Sequence, residues 1–532
     1  MRTALQALRT LRTDAVVASA DVTSTNLGAA LRNVEAAGQQ ASFLSRWARG
    51  VSSSAAPQAQ ARVAVEGDLE GVLQEIDRVV SSESAGAKEV ADAAVALAYL
   101  QAKGNRRLWG KVFEKAGAVG PTFDAASLTS FAWAASTAGV GHFKTVFELS
   151  GAAGRVLPSL SPSQLSHVVE ALGSAGAADA ELFSKIAAQV AADVGSFKPA
   201  DLARLLWGFG AAGVDNAKFV AAVSKALTEK ASELGGREVA QAVWGLAKLK
   251  RADKATLDAL VKAAKGKLDS GVDAAGLAWA LGYLGYKPDA ETAKGLSAAL
   301  TAGVAHLTPA HAVDAAWGLG VMGVADKEVS TALFGLVSAA LEAAPDALDP
   351  YQAAALFEAA AASSVKLPEQ VVAYAAKMHA LVAEGAKAKR SARLVAFKAD
   401  LAEGVARSMG ARYRPEVATA IQGFAATTAD GVALDISVSL DAQNKVAVEA
   451  VANCGLTSAG TPLGPALSRA KLLEARGYKV VLVSQVEWAA LDTPQAKAKA
   501  VLAKVRAAVP SASSKLSDLQ KQLDAPFDPY TQ

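Results

Sequence analysis

The sequence predicts a mainly α-helical fold: an α-solenoid of about eight helix-turn-helix repeats, each about 38 residues long, followed by a small α/β domain. The first observation behind this prediction is a tryptophan-centred motif that recurs at regular intervals. The second is composition, because hydrophobic residues make up 52% of the 532 residues and aromatic residues only 6%, which suits many short, closely packed helices. The third is a change to alternating apolar runs after residue 430, which is typical of β-strands.

The repeated motif is visible in "DLARLLWGFGAAGV", which begins at Asp201 and returns as "EVAQAVWGLAKLKR" from Glu238 and "HAVDAAWGLGVMGV" from His311. If the first residue of each copy is numbered zero, tryptophan falls at offset six. Eight copies follow one another at steps of 35 to 41 residues. One such unit cannot bury its apolar face alone, so residues 70–380 are predicted to stack as a solenoid. Offset six holds Val95, Trp133, Glu170, Trp207, Trp244, Trp279, Trp317 and Glu358 in turn.

The offsets also predict which face of each motif helix is buried, since each residue advances about 100° around a helix. Offsets one, five and eight are apolar in most copies and predict the core stripe. Offset zero is mostly polar, offset three varies most, and offset seven is always alanine or glycine. A variable polar face beside a column of small residues suits a protein that reads one RNA base per repeat. The alternative is that the variable positions are merely solvated.

We therefore expect RNA contacts at variable positions of the motif helices and at a basic end of one motif. These candidate residues are Ser130, His167, Arg204, Gln241, Lys248, Lys250 and Arg251. The tryptophans at offset six are instead expected to pack between neighbouring repeats, where an aromatic ring buries a large area. Stacking of these rings on RNA bases is the alternative.

The N-terminal residues 1–50 are predicted to be a transit peptide, followed by a linker over 51–69. Arg2, Arg9 and Arg12 lie among leucines, and no acidic residue comes before Asp14. This basic amphipathic pattern is typical of an organellar presequence, so we expect a mitochondrial protein, with the chloroplast as the alternative. A basic surface helix is the other interpretation of the segment. The single cysteine, Cys454, excludes an internal disulfide.

Residues 381–429 are predicted to form a basic helical connector. Its charged residues suit contact with phosphates, although a solvated linker helix has the same pattern. We expect RNA contacts here at Lys387, Lys389, Arg390 and Arg393. Beyond the connector, "GVALDISVSL", "KVAVEAVA" and "KVVLVSQVEWAAL" predict strands of an α/β domain over 430–505, and 506–532 is predicted to be a tail.

Two parts of the sequence resemble a known family. The segments "LARLLWGFGAAG" and "VAQAVWGLAKLK" resemble the octotricopeptide repeat and the related repeats of the FAST kinase-like proteins. The segments "LDIS", "KVAVE", "RAKLLEARGYKVV" and "VEWAAL" are similar to the RAP domain that ends many such proteins. The resemblance implies an organellar RNA-binding protein whose C-terminal domain has a restriction-endonuclease-like fold.

The same resemblance assigns a nuclease-like position to two acidic residues. Asp435 and Glu449 match the metal-binding acids of such an active site, but the lysine expected two residues after Glu449 is Val451. Without that lysine a standard nuclease lacks the cation beside the attacking water, so we expect no enzymatic activity. An endoribonuclease of the RAP type is the alternative.

Taken as a whole, the sequence predicts a protein that holds or stabilises RNA, as a component of the mitochondrial ribosome that binds ribosomal RNA. A transcript-specific factor for messenger RNA maturation, stability or translation is one alternative. A protein-interaction scaffold is another, favoured by a net charge of only +3. We expect other proteins of a ribonucleoprotein as partners, and no membrane, metal or cofactor.

Overall fold

The computed structural model describes residues 69–100, 105–138, 143–174, 179–388, 391–409, 426–441 and 443–524. The predicted transit peptide and nearly all of the linker lie outside these ranges. Contacts within the chain divide it into two compact units. Unit 1 comprises the described residues up to Leu249 together with Asp253–Leu277, and unit 2 comprises Lys250–Ala252 together with the described residues from Ala278 onward. Among the described residues, no helix has the length and apolar character needed to cross a membrane.

Unit 1 is built from helices in two layers. In chain order they are α1 (Leu69–Ser81), α2 (Ala87–Tyr99), α3 (Arg106–Val119), α4 (Ala125–Ala138), α5 (Phe143–Val156), α6 (Pro162–Ser174), α7 (Ala180–Ala192), α8 (Pro199–Ala212), α9 (Ala217–Glu229), α10 (Gly236–Lys248) and α11 (Lys254–Ala264). The motif helices α2, α4, α6, α8 and α10 pack on one another in that order. The helices between them, from α3 to α11, pack on one another in the same way.

Local sequence fixes where these helices begin and end. Helix α8 begins at Pro199. Proline suits the first helical position because the backbone N–H that it lacks would have no acceptor within the helix there. It ends before Gly213, which takes the left-handed conformation with φ of 69°. The side chain of Asn216 then accepts the N–H of Phe219 and starts α9.

The column of small residues at offset seven lies where successive motif helices meet. A Cβ built on Gly208 would lie 2.8 Å from the carbonyl oxygen of Val169, and one on Gly245 would lie 2.4 Å from that of Leu206. In unit 2, a Cβ on Gly318 would lie 2.2 Å from the Ala278 oxygen. The column of small residues, which in the sequence suits an RNA reader, is therefore a contact between helices at these glycines. The small residues instead let the backbone of the preceding motif helix approach closely.

Unit 2 contains further helices and a small sheet. Helix α12 (Gly271–Tyr283) begins in unit 1 and ends in unit 2, and α13 (Ala290–Gly303), α14 (Pro309–Met322), α15 (Lys327–Ala343), α16 (Pro350–Ala361), α17 (Glu369–Ala388) and α18 (Ala392–Met409) follow. The remaining elements are β1 (Ala426–Thr427), β2 (Ala433–Leu434), β3 (Ile436–Ser439), β4 (Lys445–Val451), α19 (Gly464–Glu474), β5 (Tyr478–Ser484), α20 (Gln485–Ala489), α21 (Pro494–Ala508) and α22 (Ser513–Asp524).

The sheet has the order β3-β4-β5, with β3 antiparallel and β5 parallel to β4, while β1 and β2 form a separate antiparallel pair. Helices α18, α21 and α22 pack on one side of the sheet, and α19 packs on the other with Phe357 of α16. The predicted mainly α-helical chain with a small C-terminal α/β region is thus confirmed. Two boundaries differ: α18, predicted as a connector, buries Leu401 in the sheet core, and the predicted tail buries Leu516 there.

The close approach at offset seven gives a direct test of helix packing. Gly245→Ala should lower the free energy of unfolding by about 1–3 kcal/mol, because the new methyl group collides with backbone atoms that cannot move aside independently. The control is Gly276→Ala, where a Cβ meets nothing within 4 Å and the change should stabilise the helix by up to about 1 kcal/mol. Unfolding followed by circular dichroism measures both, and equal stability of the two variants would contradict this packing.

Candidate functional site

One face of α8 and α10 stays partly open in unit 1. Between Asp201 and Gly210 every residue of α8 is buried except Arg204 and Trp207. Between Val239 and Leu249 every residue of α10 is buried except three at offsets three, six and ten. We call the resulting surface the ring face; it consists of Arg204, Trp207, Gln241, Trp244 and Lys248. The variable offset and the tryptophan offset therefore share one face.

Two half-buried tryptophans form the centre of the ring face. The rings of Trp207 and Trp244 are stacked, with centroids 5.3 Å apart and planes inclined by 24°. The ammonium nitrogen of Lys248 lies 5.4 Å from the centroid of the Trp244 ring, within the range of a cation–π interaction. Gln241 is half-buried one turn before Trp244 on the same helix. An aromatic face, an amide and an ammonium group are thus side by side.

Arg204 has a different environment, because it is tied to acidic residues of α6 and α8. Its Nη1 donates to the hydroxyl of Ser166 at 2.9 Å and to the carboxylate of Asp201 at 3.1 Å. Its Nε lies 3.3 Å from the buried carboxylate of Glu170, and His167 Nδ1 lies 3.7 Å from the same group. Of the two basic side chains expected to contact RNA, Arg204 is therefore held by carboxylates within unit 1, and His167 lies beside one of them.

Other predicted contact residues are spread over the chain. Ser130 and Trp133 are half-buried on α4. Lys250, which has a φ of 57°, donates from Nζ to the Cys454 carbonyl at 2.7 Å and accepts the N–H of Ser458 at 2.9 Å through its own carbonyl. The ammonium group of Lys250 thus braces a loop of unit 2.

The remaining predicted residues follow no common pattern. Arg251 is half-buried and Arg393 is exposed at the start of α18. Lys389 and Arg390 lie outside the described residues, as does the side chain of Lys387. Trp279 stacks on Tyr283 with ring centroids 5.1 Å apart, whereas Trp317 is buried.

The acid pair of the α/β region is joined to two basic residues. The Asp435 carboxylate accepts the N–H of Ala450 at 3.0 Å and a hydrogen bond from Lys398 of α18. The Glu449 carboxylate accepts the N–H of Asp435 at 2.8 Å and a hydrogen bond from Arg469 of α19. A lysine is therefore present beside the acids, although it comes from α18 and not from the strand position of Val451.

Burial sets the electrostatics of this pair. Burial raises the pKa of Glu449 and the nearby charge of Asp435 adds to that effect, while Arg469 opposes it. Each carboxylate has its own cationic partner, and a metal ion would have to displace those partners to bind. Within the described part of the chain, no group of three or more histidine, cysteine or acidic residues is arranged to hold a metal. This geometry is that of a paired ion network across α18, the sheet and α19.

Comparison with known proteins adds no assignment to either site. No protein-family model matches the sequence, and no curated protein shows significant similarity to it. The two sites must therefore be interpreted from the chemistry of their own residues.

A third ionisable group of interest is Asp314 in unit 2, whose stability effect can be predicted. It occupies offset three of α14, and burial, with a smaller effect from the charge of Asp349, raises its pKa from 3.8 to about 6. An ionised Asp314 therefore destabilises the fold increasingly between pH 3.8 and about 6, and by a constant amount above that. Asp314→Asn should raise the free energy of unfolding at neutral pH by at most about 3 kcal/mol, with no gain near pH 3.

Chemical denaturation at several pH values measures this dependence. Asp346→Asn, at an exposed position in a turn, is the matched control and should change stability little throughout. A gain for Asp314→Asn that does not vary with pH would contradict the assigned ionisation.

The ion network predicts the behaviour of the acid pair toward magnesium. Labelled single-stranded RNA incubated with the protein and Mg²⁺ should remain uncleaved, because Lys398 and Arg469 already neutralise Asp435 and Glu449. The assay is resolved by gel electrophoresis, with Asp435→Asn as the comparison. Cleavage by the natural protein that disappears in Asp435→Asn would reverse this expectation and favour the endoribonuclease alternative.

Proposed function

We propose that this protein binds single-stranded RNA on the ring face of unit 1. The observation that carries the proposal is the half-buried stack of Trp207 on Trp244, with the Lys248 ammonium group beside the second ring. Bases of unpaired RNA stack on exposed aromatic rings, and each such contact contributes about 1–3 kcal/mol. A duplex offers no base faces to such rings, so the proposal specifies unpaired RNA.

The neighbouring side chains suit the other parts of a nucleotide. The amide of Gln241 carries both a donor and an acceptor, which is what hydrogen bonding to a base edge requires. Lys248 is exposed and carries a positive charge that attracts the phosphate backbone. Arg204 is engaged within unit 1, since its guanidinium group already contacts Ser166 and Asp201.

The same proposal includes an array of eight repeats, a restriction-endonuclease-like C-terminal fold and a role in the mitochondrial ribosome. The recurrence of the motif at steps of 35 to 41 residues supports an array of eight repeats. The resemblance of residues 430–505 to the RAP domain supports a restriction-endonuclease-like fold there and an organellar location, in the mitochondrion by the arginine-rich N-terminus. A net charge of +3 supports binding that other components assist, as in a mitochondrial ribosome that supplies ribosomal RNA. The same low charge favours a protein scaffold as the second candidate function.

Substitutions on the ring face test RNA binding. Trp244→Ala should weaken binding of a labelled, random-sequence single-stranded RNA pool by about 10-fold or more, since the stacked base loses its support. Lys248→Ala should weaken binding a few-fold and reduce the slope of log affinity against log salt by about one, because one phosphate contact is removed.

Fluorescence anisotropy at several salt concentrations measures both effects, and circular dichroism checks that helicity is retained. Lys225→Ala is the matched control, because Lys225 is an exposed lysine of unit 1 on α9, outside the ring face. If all three variants bind RNA as tightly as the natural protein does, the ring face is not the binding surface.

A further inference from the structure

Two positions of the ring face are buried where they recur on α14 of unit 2. Trp317 of α14 occupies the same motif offset as Trp244, yet it is only 6% exposed. Val321 occupies the same offset as the exposed Lys248 and is 5% exposed. Another part of unit 2 therefore covers Trp317, whereas Trp207 and Trp244 of unit 1 stay partly open.

The cover is the first turn of α19, which belongs to the C-terminal α/β region. A Cβ built on Gly464 would lie 2.7 Å from Cη2 of Trp317 and 2.5 Å from the carbonyl oxygen of Gly282. Glycine is therefore required at this point for the start of α19 to lie directly against the tryptophan ring. On the same side, the Leu467 side chain reaches within 2.7 Å of a Cβ built on Gly285.

A half-buried carboxylate fixes this contact. Glu358 holds the tryptophan offset of α16, and its Oε2 accepts hydrogen bonds from Ser468 Oγ at 2.6 Å and Trp317 Nε1 at 2.9 Å. His379 of α17 lies 3.6 Å from the other carboxylate oxygen. Burial alone would raise the pKa of Glu358, but the hydrogen bonds from His379, Ser468 and Trp317 outweigh burial and lower it. The carboxylate thus stays charged and joins α14, α16, α17 and α19.

A second contact, made by a residue just after the C-terminal end of α19, joins this segment to α16. The guanidinium group of Arg476 lies 5.3 Å from the centre of the Phe357 ring on α16. Phe357 also packs against the hydrophobic cluster of Leu472 and Leu473 on α19. Helix α19 therefore contacts α16 through apolar packing at Phe357 and through the hydrogen bond from Ser468 to Glu358.

We propose that residues 464–468 of α19 act as an intramolecular cover of the ring-face positions on α14 and α16, so that RNA contacts are confined to unit 1. The proposal rests on the proposed RNA binding at the ring face. Under this proposal, RNA contacts the tryptophan offset at Trp207 and Trp244. At Trp317 and Glu358 the same offset is in contact with α19 of the chain itself. Binding along all eight motifs is excluded as long as α19 stays in place.

The test is hydroxyl-radical oxidation of the full chain, read at each tryptophan by mass spectrometry, with and without the random-sequence single-stranded RNA pool. In the natural protein we expect strong oxidation at Trp244 and little at Trp317, and RNA should lower oxidation at Trp244 several-fold. In Gly464→Val the new side chain displaces α19, so oxidation at Trp317 should rise several-fold. Added RNA should then lower oxidation at Trp317 as well.

Two further variants keep the test decisive. Ser468→Ala removes one hydrogen bond to Glu358 without adding bulk, and it should raise oxidation at Trp317 less than Gly464→Val does. Gly335→Val is the control, because a Cβ on this exposed glycine of α15 meets nothing within 4 Å. Oxidation at Trp317 that stays low in both Gly464→Val and Ser468→Ala would overturn the assignment of α19 as the cover.

The two proposals fail in different ways. RNA that protects Trp244 in every variant but never protects an uncovered Trp317 would overturn the intramolecular cover and leave RNA binding intact. If RNA protects no tryptophan in any variant, the proposed RNA binding is wrong. The proposal that α19 confines RNA to unit 1 then fails as well. Protection of both rings in Gly464→Val is the result that the proposal requires.

Discussion

Close backbone contact between successive motif helices is the constraint on which the other features depend. Glycine at positions 208, 245 and 318 brings each helix against the carbonyl groups of the one before it. Because the helices meet at offset seven, offsets three and six turn toward the edge of the layer, where Trp207, Gln241 and Trp244 are only partly covered. The tryptophan column is thus a consequence of helix packing, and its rings reach across from one motif helix to the next.

The chain uses that column in three ways. In unit 1, Trp207 and Trp244 stack as rings, while Glu170 takes a tryptophan position and holds Arg204. In unit 2, Glu358 takes the equivalent position and accepts the Trp317 N–H together with the Ser468 hydroxyl. A ring beside a ring leaves partly open apolar surface, whereas a carboxylate attracts polar partners. Tryptophan at offset six is thus partly open at Trp207 and Trp244, and it is covered at Trp317, where Glu358 accepts its N–H.

Sequence periodicity predicted the helices and the tryptophan column, because both follow from spacing within one helix. It could not predict the partners of Arg204, since Ser166 lies 38 residues earlier in the chain. It likewise missed Lys398 beside Asp435, because only tertiary packing of α18 brings the lysine to the sheet. The small column was misinterpreted for the same reason: alanine and glycine permit close approach, but sequence does not tell which neighbour approaches. Glutamates in a tryptophan column were the one available signal for the buried ion contacts.

Ultraviolet crosslinking of the natural protein in living cells, followed by identification of RNA-linked peptides, tests the central claim most directly. The ring face predicts crosslinks in the peptides of α8 and α10 that carry Trp207, Trp244 and Lys248. Sequencing of the linked RNA would also identify it as ribosomal or messenger RNA. Crosslinks confined to helices of the other layer, such as α9 and α11, or a protein recovered without RNA, would contradict the account.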